Sequence, residues 1–180
     1  MRVGHVRTDC RATVSIELAF VLPLLVTLLA GGVEAVNFVL IHQKLERTSA
    51  TMGDLVSQSA QITEREMRTL FAAVEDVMQP YDLTANGNAI VSSITARSGA
   101  ARIDWQRATG SGSNVSAYGR QGEVADLPAG LTLRDGDNVI VCEAWFEYRP
   151  VLFTGVIGQQ ELYRSAVYRP RFGKLDVISP

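Results

Sequence analysis

Apolar residues dominate the chain from Leu18-Ala19-Phe20-Val21-Leu22-Pro23-Leu24-Leu25-Val26-Thr27-Leu28-Leu29-Ala30 onward, and no charge occurs between Leu18 and Val33. Continued past Glu34 to Ile41, this run exceeds the ~20 helical residues that cross a hydrocarbon core at about 1.5 Å per residue. It predicts a transmembrane helix with one acid, Glu17, just inside a membrane face. An ionised carboxylate at that depth costs roughly 2.5 kcal/mol or more unless it meets a cation, so Glu17 asks for a partner.

The apolar pattern then thins to a seam. Phe38, Ile41, Leu45, Thr48, Met52, Leu55, Ser59 and Ile62 recur at alternating three- and four-residue steps, which carries the membrane helix into water. One long helix over residues 14–59 is predicted, with a break near Gly53 as the alternative; a single Gly costs a helix only ~1 kcal/mol. Pro23 removes one backbone hydrogen bond and predicts a bend. A second, amphipathic helix is marked by the capping-box pair Thr63 and Glu66, by an apolar face of Met67, Leu70, Phe71, Val74, Val77 and Met78, and by Pro80 after it.

Downstream the period changes to two. Ala101, Ile103 and Trp105 alternate with Arg102, Asp104 and Gln106; Ile140, Cys142, Ala144, Phe146 and Tyr148 alternate with Val141, Glu143, Trp145 and Glu147. Weaker strands cover residues 89–96 and 162–169. The fold class that follows is α+β: a long N-terminal helix, transmembrane in its first part, and a second amphipathic helix packed on a small antiparallel β-sheet. Thr109–Asn114 and Tyr118–Asn138 are rich in Gly, Ser, Asp and Pro and read as long surface loops. Pro150–Gln160 is apolar with two glycines, either packing at the sheet edge or forming an exposed contact surface.

The 180 residues therefore divide into a basic leader over 1–12, the transmembrane helix and its amphipathic extension over 13–60, and an exported α+β domain over 61–180. Arg2, Arg7 and Arg11 precede the span against Asp9 alone, whereas Lys44 and Arg47 beyond it are offset by Glu46. The positive-inside rule then puts the amino end in the cytoplasm. The net charge of −2, with basic residues scattered, gives no electrostatic footprint for nucleic acid.

The inventory of reactive side chains argues against catalysis. The two histidines are His5, on the cytoplasmic side, and His42, at the far membrane edge, so no exported Ser-His-Asp or Cys-His arrangement assembles and no zinc ligand set exists on one side. Gly110-Ser111-Gly112-Ser113 lacks the Lys of a phosphate-cradling loop. Asp135-Gly136-Asp137-Asn138 has residue types that bind calcium but reads better as a tight turn; as paired acids Asp135 and Asp137 leave an exported hydrolase formally open. Cys10 and Cys142 fall on opposite sides of the membrane. Cys142 is expected as a small core residue, with an intermolecular bridge as the alternative. No cofactor is implied.

Three readings of the amino end remain. A basic leader, a small residue, four residues, a Glu and an apolar helix resemble the cleavage region of type IV prepilins; more narrowly, Ala12 through Leu25 is similar to the amino-terminal motif of TadE-like proteins, pseudopilins of tight-adherence (Flp) pilus systems. The resemblance extends over the long helix and weakly to Trp145–Pro150 and Val167–Phe172. Ala12 stands where that family usually has Gly, and Leu18 where it usually has an aromatic residue. The resemblance implies a cut between Ala12 and Thr13 by a prepilin peptidase, and assembly through Glu17, whose carboxylate pairs with the new amino terminus of a neighbouring subunit. It implies a single-pass inner-membrane pilus-assembly protein, partnered by other pilus subunits and inner-membrane assembly proteins, in homo- or hetero-oligomers formed through the transmembrane helix.

The second reading is a secretory signal peptide cut after Val33-Glu34-Ala35, which would release a soluble domain beginning at Val36. The third is a plain anchor holding an unrelated binding domain, with Glu17 reaching the headgroups. Glu34 and Asn37 share a helical face and could hydrogen-bond neighbouring helices, although they read better as marking the end of the span. Gly31-Gly32 is a poor helix-association signal. Trp145, Tyr148, Tyr168 and Arg171 suit either protein contacts or a half-exposed sheet.

Overall fold

The computed structural model describes residues 10–128, 130–152, 155 and 158–180. The leader residues Arg2, His5, Arg7 and Asp9, and with them its charge balance, lie outside the described residues, as do Phe153, Thr154, Val156 and Ile157 of the apolar 150–160 stretch.

Residues Cys10–Ser57 form one helix, α1, which runs unbroken through Pro23; Thr27 Oγ1 donates to the Pro23 carbonyl at 2.8 Å. Its first half projects away from the sheet: Phe20, Leu24 and Leu29 are each at least 60% exposed. From Glu34 onward one face is buried, at Glu34, Ile41, Leu45, Thr48, Met52 and Val56. Here the predicted seam needs one correction. A strict 3.5-residue period puts Leu55 inside, but a straight helix turns every 3.6 residues and drifts about 20° per heptad, so Val56 takes the core position and Leu55 is exposed.

The second helix, α2 (Glu64–Met78), begins as its capping box predicts: Thr63 Oγ1 accepts from the Glu66 amide at 3.2 Å, and Glu66 Oε2 accepts from the Thr63 amide at 2.8 Å. It buries Met67, Leu70, Phe71, Val74 and Met78. Before it lies β1 (Ile62–Thr63), and after it the short α3 (Leu83–Asn86), capped by Asp82.

The sheet consists of β2 (Gly87–Arg97), β3 (Ala100–Gly110), β4 (Asn138–Tyr148) and β5 (Gln160–Tyr168), antiparallel throughout in the order β3-β2-β4-β5. A bulge in the β2–β3 pairing falls between Ser93 and Ile94. The last strand, β6 (Ile178–Ser179), pairs in parallel with β1. The Trp105 indole N–H donates to the Leu175 carbonyl at 2.7 Å, which ties the carboxy-terminal segment to β3.

One sheet face carries Ala89, Val91, Trp105, Ile140, Cys142, Ala144 and Phe146 against α1 and α2. The alternation in β4 predicts a wetted opposite face, and the structure corrects this. The connection between β3 and β4 crosses that face, and Tyr118 and Ala125 pack there on Ile94, Ile103, Val139 and Val141. The expected surface loop is thus a second cover, and both faces of β4 are buried. Trp145 and Tyr148, candidates for partner contact, are interior residues. Arg171 is committed within the chain, pairing with Asp54 at 2.6 Å.

Candidate functional site

The long helix and the central strand run antiparallel, so that Glu34 meets the end of β4 and Gly53 meets Tyr168, which is registered with Ile140 at the start of β4. The lengths agree: Glu34 to Gly53 is about 28 Å of helix and Ile140 to Tyr148 about 26 Å of strand. Gly53 lies inside the helix and is required there. A Cβ at this position would lie 2.2 Å from Tyr168 Cδ2, so the absent side chain is the space the ring occupies.

At the Tyr148 end of β4, Glu34 is 3% exposed. Its carboxylate accepts from the Tyr148 hydroxyl, from the Val151 amide at 3.1 Å and from the Leu152 amide at 2.8 Å. Phe38, one turn on, meets the Tyr148 ring edge-to-face at 5.2 Å between centroids. Burial and the hydrogen bond to Glu34 push the Tyr148 phenol up to about 12. Glu34 therefore joins the helix to the domain, a role that the reading of a mere end-of-span marker misses. No signal in a single sequence connects it to Tyr148, a residue 114 positions away.

Glu17 is the opposite case. It projects from the uncovered half of α1, exposed, and makes no hydrogen bond or ion pair with another described residue. Ala12 and Thr13 lie in the helix backbone just before it. Helix geometry puts Glu17 and Glu34 about 25 Å apart along the axis, with only uncharged residues between them. An apolar helix thus carries an acid near each end, one answered within the chain and one not answered among the described residues.

A third acid, Glu143, is fully buried under the crossing loop. It accepts from Ser116 Oγ, from the Ala117 amide at 2.9 Å and from the Tyr163 hydroxyl at 2.9 Å. Burial pushes its carboxyl above the ordinary range, and these three hydrogen bonds act in the other direction. The alternation pattern places Glu143 on a wetted face, and only the loop that lies over it changes that. Cys142, beside it on the helix-facing side, is a free, fully buried thiol with its pKa raised by burial and by Glu143, which makes it a core residue. Asp135–Asn138 forms a turn: Gly136 has φ +91°, Asp137 Oδ2 accepts from the Arg134 amide at 3.1 Å, and Arg169 pairs with Asp137 at 3.2 Å.

By length and composition, α1 is capable of crossing a membrane. Residues 12–51 match the family model of TadE-like proteins, the family that the amino-terminal motif resembles. The match starts at Ala12, takes in Glu17 and Glu34, and ends within α1, short of the sheet. No curated protein and no solved structure matches the chain.

Proposed function

We propose that this chain is a minor pilin or pseudopilin that takes part in assembly of a tight-adherence (Flp) type pilus, acting by protein–protein interaction and not by catalysis. In this reading α1 holds it in the bacterial inner membrane in a single pass, with the amino end cytoplasmic and residues 61–180 outside. A prepilin peptidase cuts between Ala12 and Thr13. The ammonium released at Thr13 of one subunit then meets Glu17 of another, an ion pair that lipid surroundings make worth forming and that sets helix register. The partners are other pilus subunits and the inner-membrane assembly proteins.

The observation that carries this reading is the contrast between Glu17 and Glu34, the two acids that flank the uncharged run of α1. Glu34 is fully accommodated within its own chain, whereas Glu17 stands on bare helix inside the segment that matches TadE-like proteins. The same geometry speaks against release as a soluble domain. A cut before Val36 would remove Glu34 and leave the Tyr148 hydroxyl and two backbone amides without their acceptor, at about 1–3 kcal/mol for each buried group.

The test is co-purification of pilus subunits with the full chain and with Glu17→Ala. The variant should insert normally and lose its companions. Unchanged co-purification would return Glu17 to the role of an acid reaching lipid headgroups.

A further inference from the structure

We infer that the corner after β4, at Val151 and Leu152, is a second membrane contact: an apolar element that enters the headgroup–acyl boundary beside α1, in the leaflet facing the domain. The inference rests on α1 spanning the bilayer.

The level of this corner is set by Glu34, whose short side chain accepts both the Val151 and the Leu152 amide and so keeps their backbone within about one helical turn of its own height. The level of the membrane is set by α1. Counting a hydrocarbon thickness of about 30 Å from Glu17 reaches the neighbourhood of Asn37, one turn beyond Glu34. Exposed apolar side chains on α1 continue past Glu34 at Val36, Val39 and Leu40, and the first strongly polar exposed position is Gln43. Val151 and Leu152 are therefore held below the outer edge of the apolar layer.

Their chemistry fits that depth. Val151 is 66% exposed and Leu152 51% exposed, so two aliphatic side chains face outward. Backbone amides entering lipid must already have acceptors, because no water is there to supply one. Both amides of this corner have theirs in Glu34. Pro150, just before them, has no amide hydrogen to satisfy and is buried. The occupant of the patch is lipid, since the surface is continuous with the lipid-facing side of α1.

The full chain, in a Cys10→Ser background where buried Cys142 does not react, would carry one cysteine at a time for an environment-sensitive fluorophore: Leu152→Cys, Leu24→Cys or Val124→Cys. Val124 is exposed and bridges to Arg102 at the opposite end of the sheet. Each labelled protein is reconstituted in phosphatidylethanolamine–phosphatidylglycerol vesicles containing lipids spin-labelled at shallow or deep acyl positions. The label at 152 should be quenched by the shallow spin label, consistent with roughly 5–10 Å of interfacial burial; the label at 24 should be quenched by the deep one, and the label at 124 by neither. Quenching at 24 without quenching at 152 overturns this inference and leaves the anchor reading intact. Absence of quenching at 24 removes the premise itself. A label at 152 shielded from aqueous quencher yet untouched by either spin-labelled lipid assigns the patch to another polypeptide and also overturns the inference.

Discussion

Tyr148, the last residue of β4, donates its hydroxyl proton to Glu34 and thereby ties the sheet to the long apolar helix. Hydrogen bonds to a charged group are worth about 1.5–3 kcal/mol each when buried. Tyr148→Phe should therefore lower the stability of the domain by about that amount, read as a shift in thermal unfolding of the detergent-solubilised chain. Glu34→Ala should cost more, because the Val151 and Leu152 amides lose their acceptor as well. Equal effects for the two variants would show that the amide contacts contribute nothing.

Gly53 offers a prediction whose sign is informative. Helix propensity alone makes Gly53→Ala favourable by roughly 1 kcal/mol. The Tyr168 ring instead occupies the place of the Cβ, and overpacking of this kind costs typically about 1–3 kcal/mol. Gly53→Ala should be destabilising in the wild-type background and neutral or stabilising in Tyr168→Ala. Chemical denaturation of the four proteins of this cycle checks it.

Glu143 makes stability depend on pH in a defined direction. Its carboxyl binds a proton more tightly in the folded chain than in the unfolded one, because burial outweighs the three donors that face it. Stability from this group is greatest below the ordinary carboxylate value of roughly pH 4 and declines as pH rises through the raised folded value. Glu143→Gln should remove that decline and leave the chain more stable than wild type near neutral pH, as measured by denaturant midpoints across a pH series.

Cys142 reports on the same core. The thiol is enclosed and its pKa is raised, so a thiol reagent should modify it only at the rate at which the sheet opens. Rapid labelling of the folded Cys10→Ser chain would place Cys142 at a surface and contradict the fold described.

Much of this fold was legible because each element carries its own period. The uncharged run from Leu18 to Val33, the Thr63–Glu66 box and the two-residue alternation in β3 and β4 are local signals, and each produced the element it implies. What the sequence concealed depends on residues far apart in the chain. Glu143 reads as a surface acid until Ser116 and Ala117 are laid over it. Gly53 reads as a weak point until Tyr168 arrives from β5. Glu34 reads as the end of a span until the corner after Tyr148 closes around it. Glu17 stands out in the sequence as a candidate, since charge in an apolar helix is conspicuous without any fold; the latch at Glu34 does not.

The first residue of the membrane-bound chain separates the three readings of its amino end. Amino-terminal sequencing of the protein isolated from the membrane fraction should return Thr13 as the first residue, with α1 and Glu34 retained. Val36 in that position would contradict the anchored pseudopilin outright, and Met1 would contradict its processing.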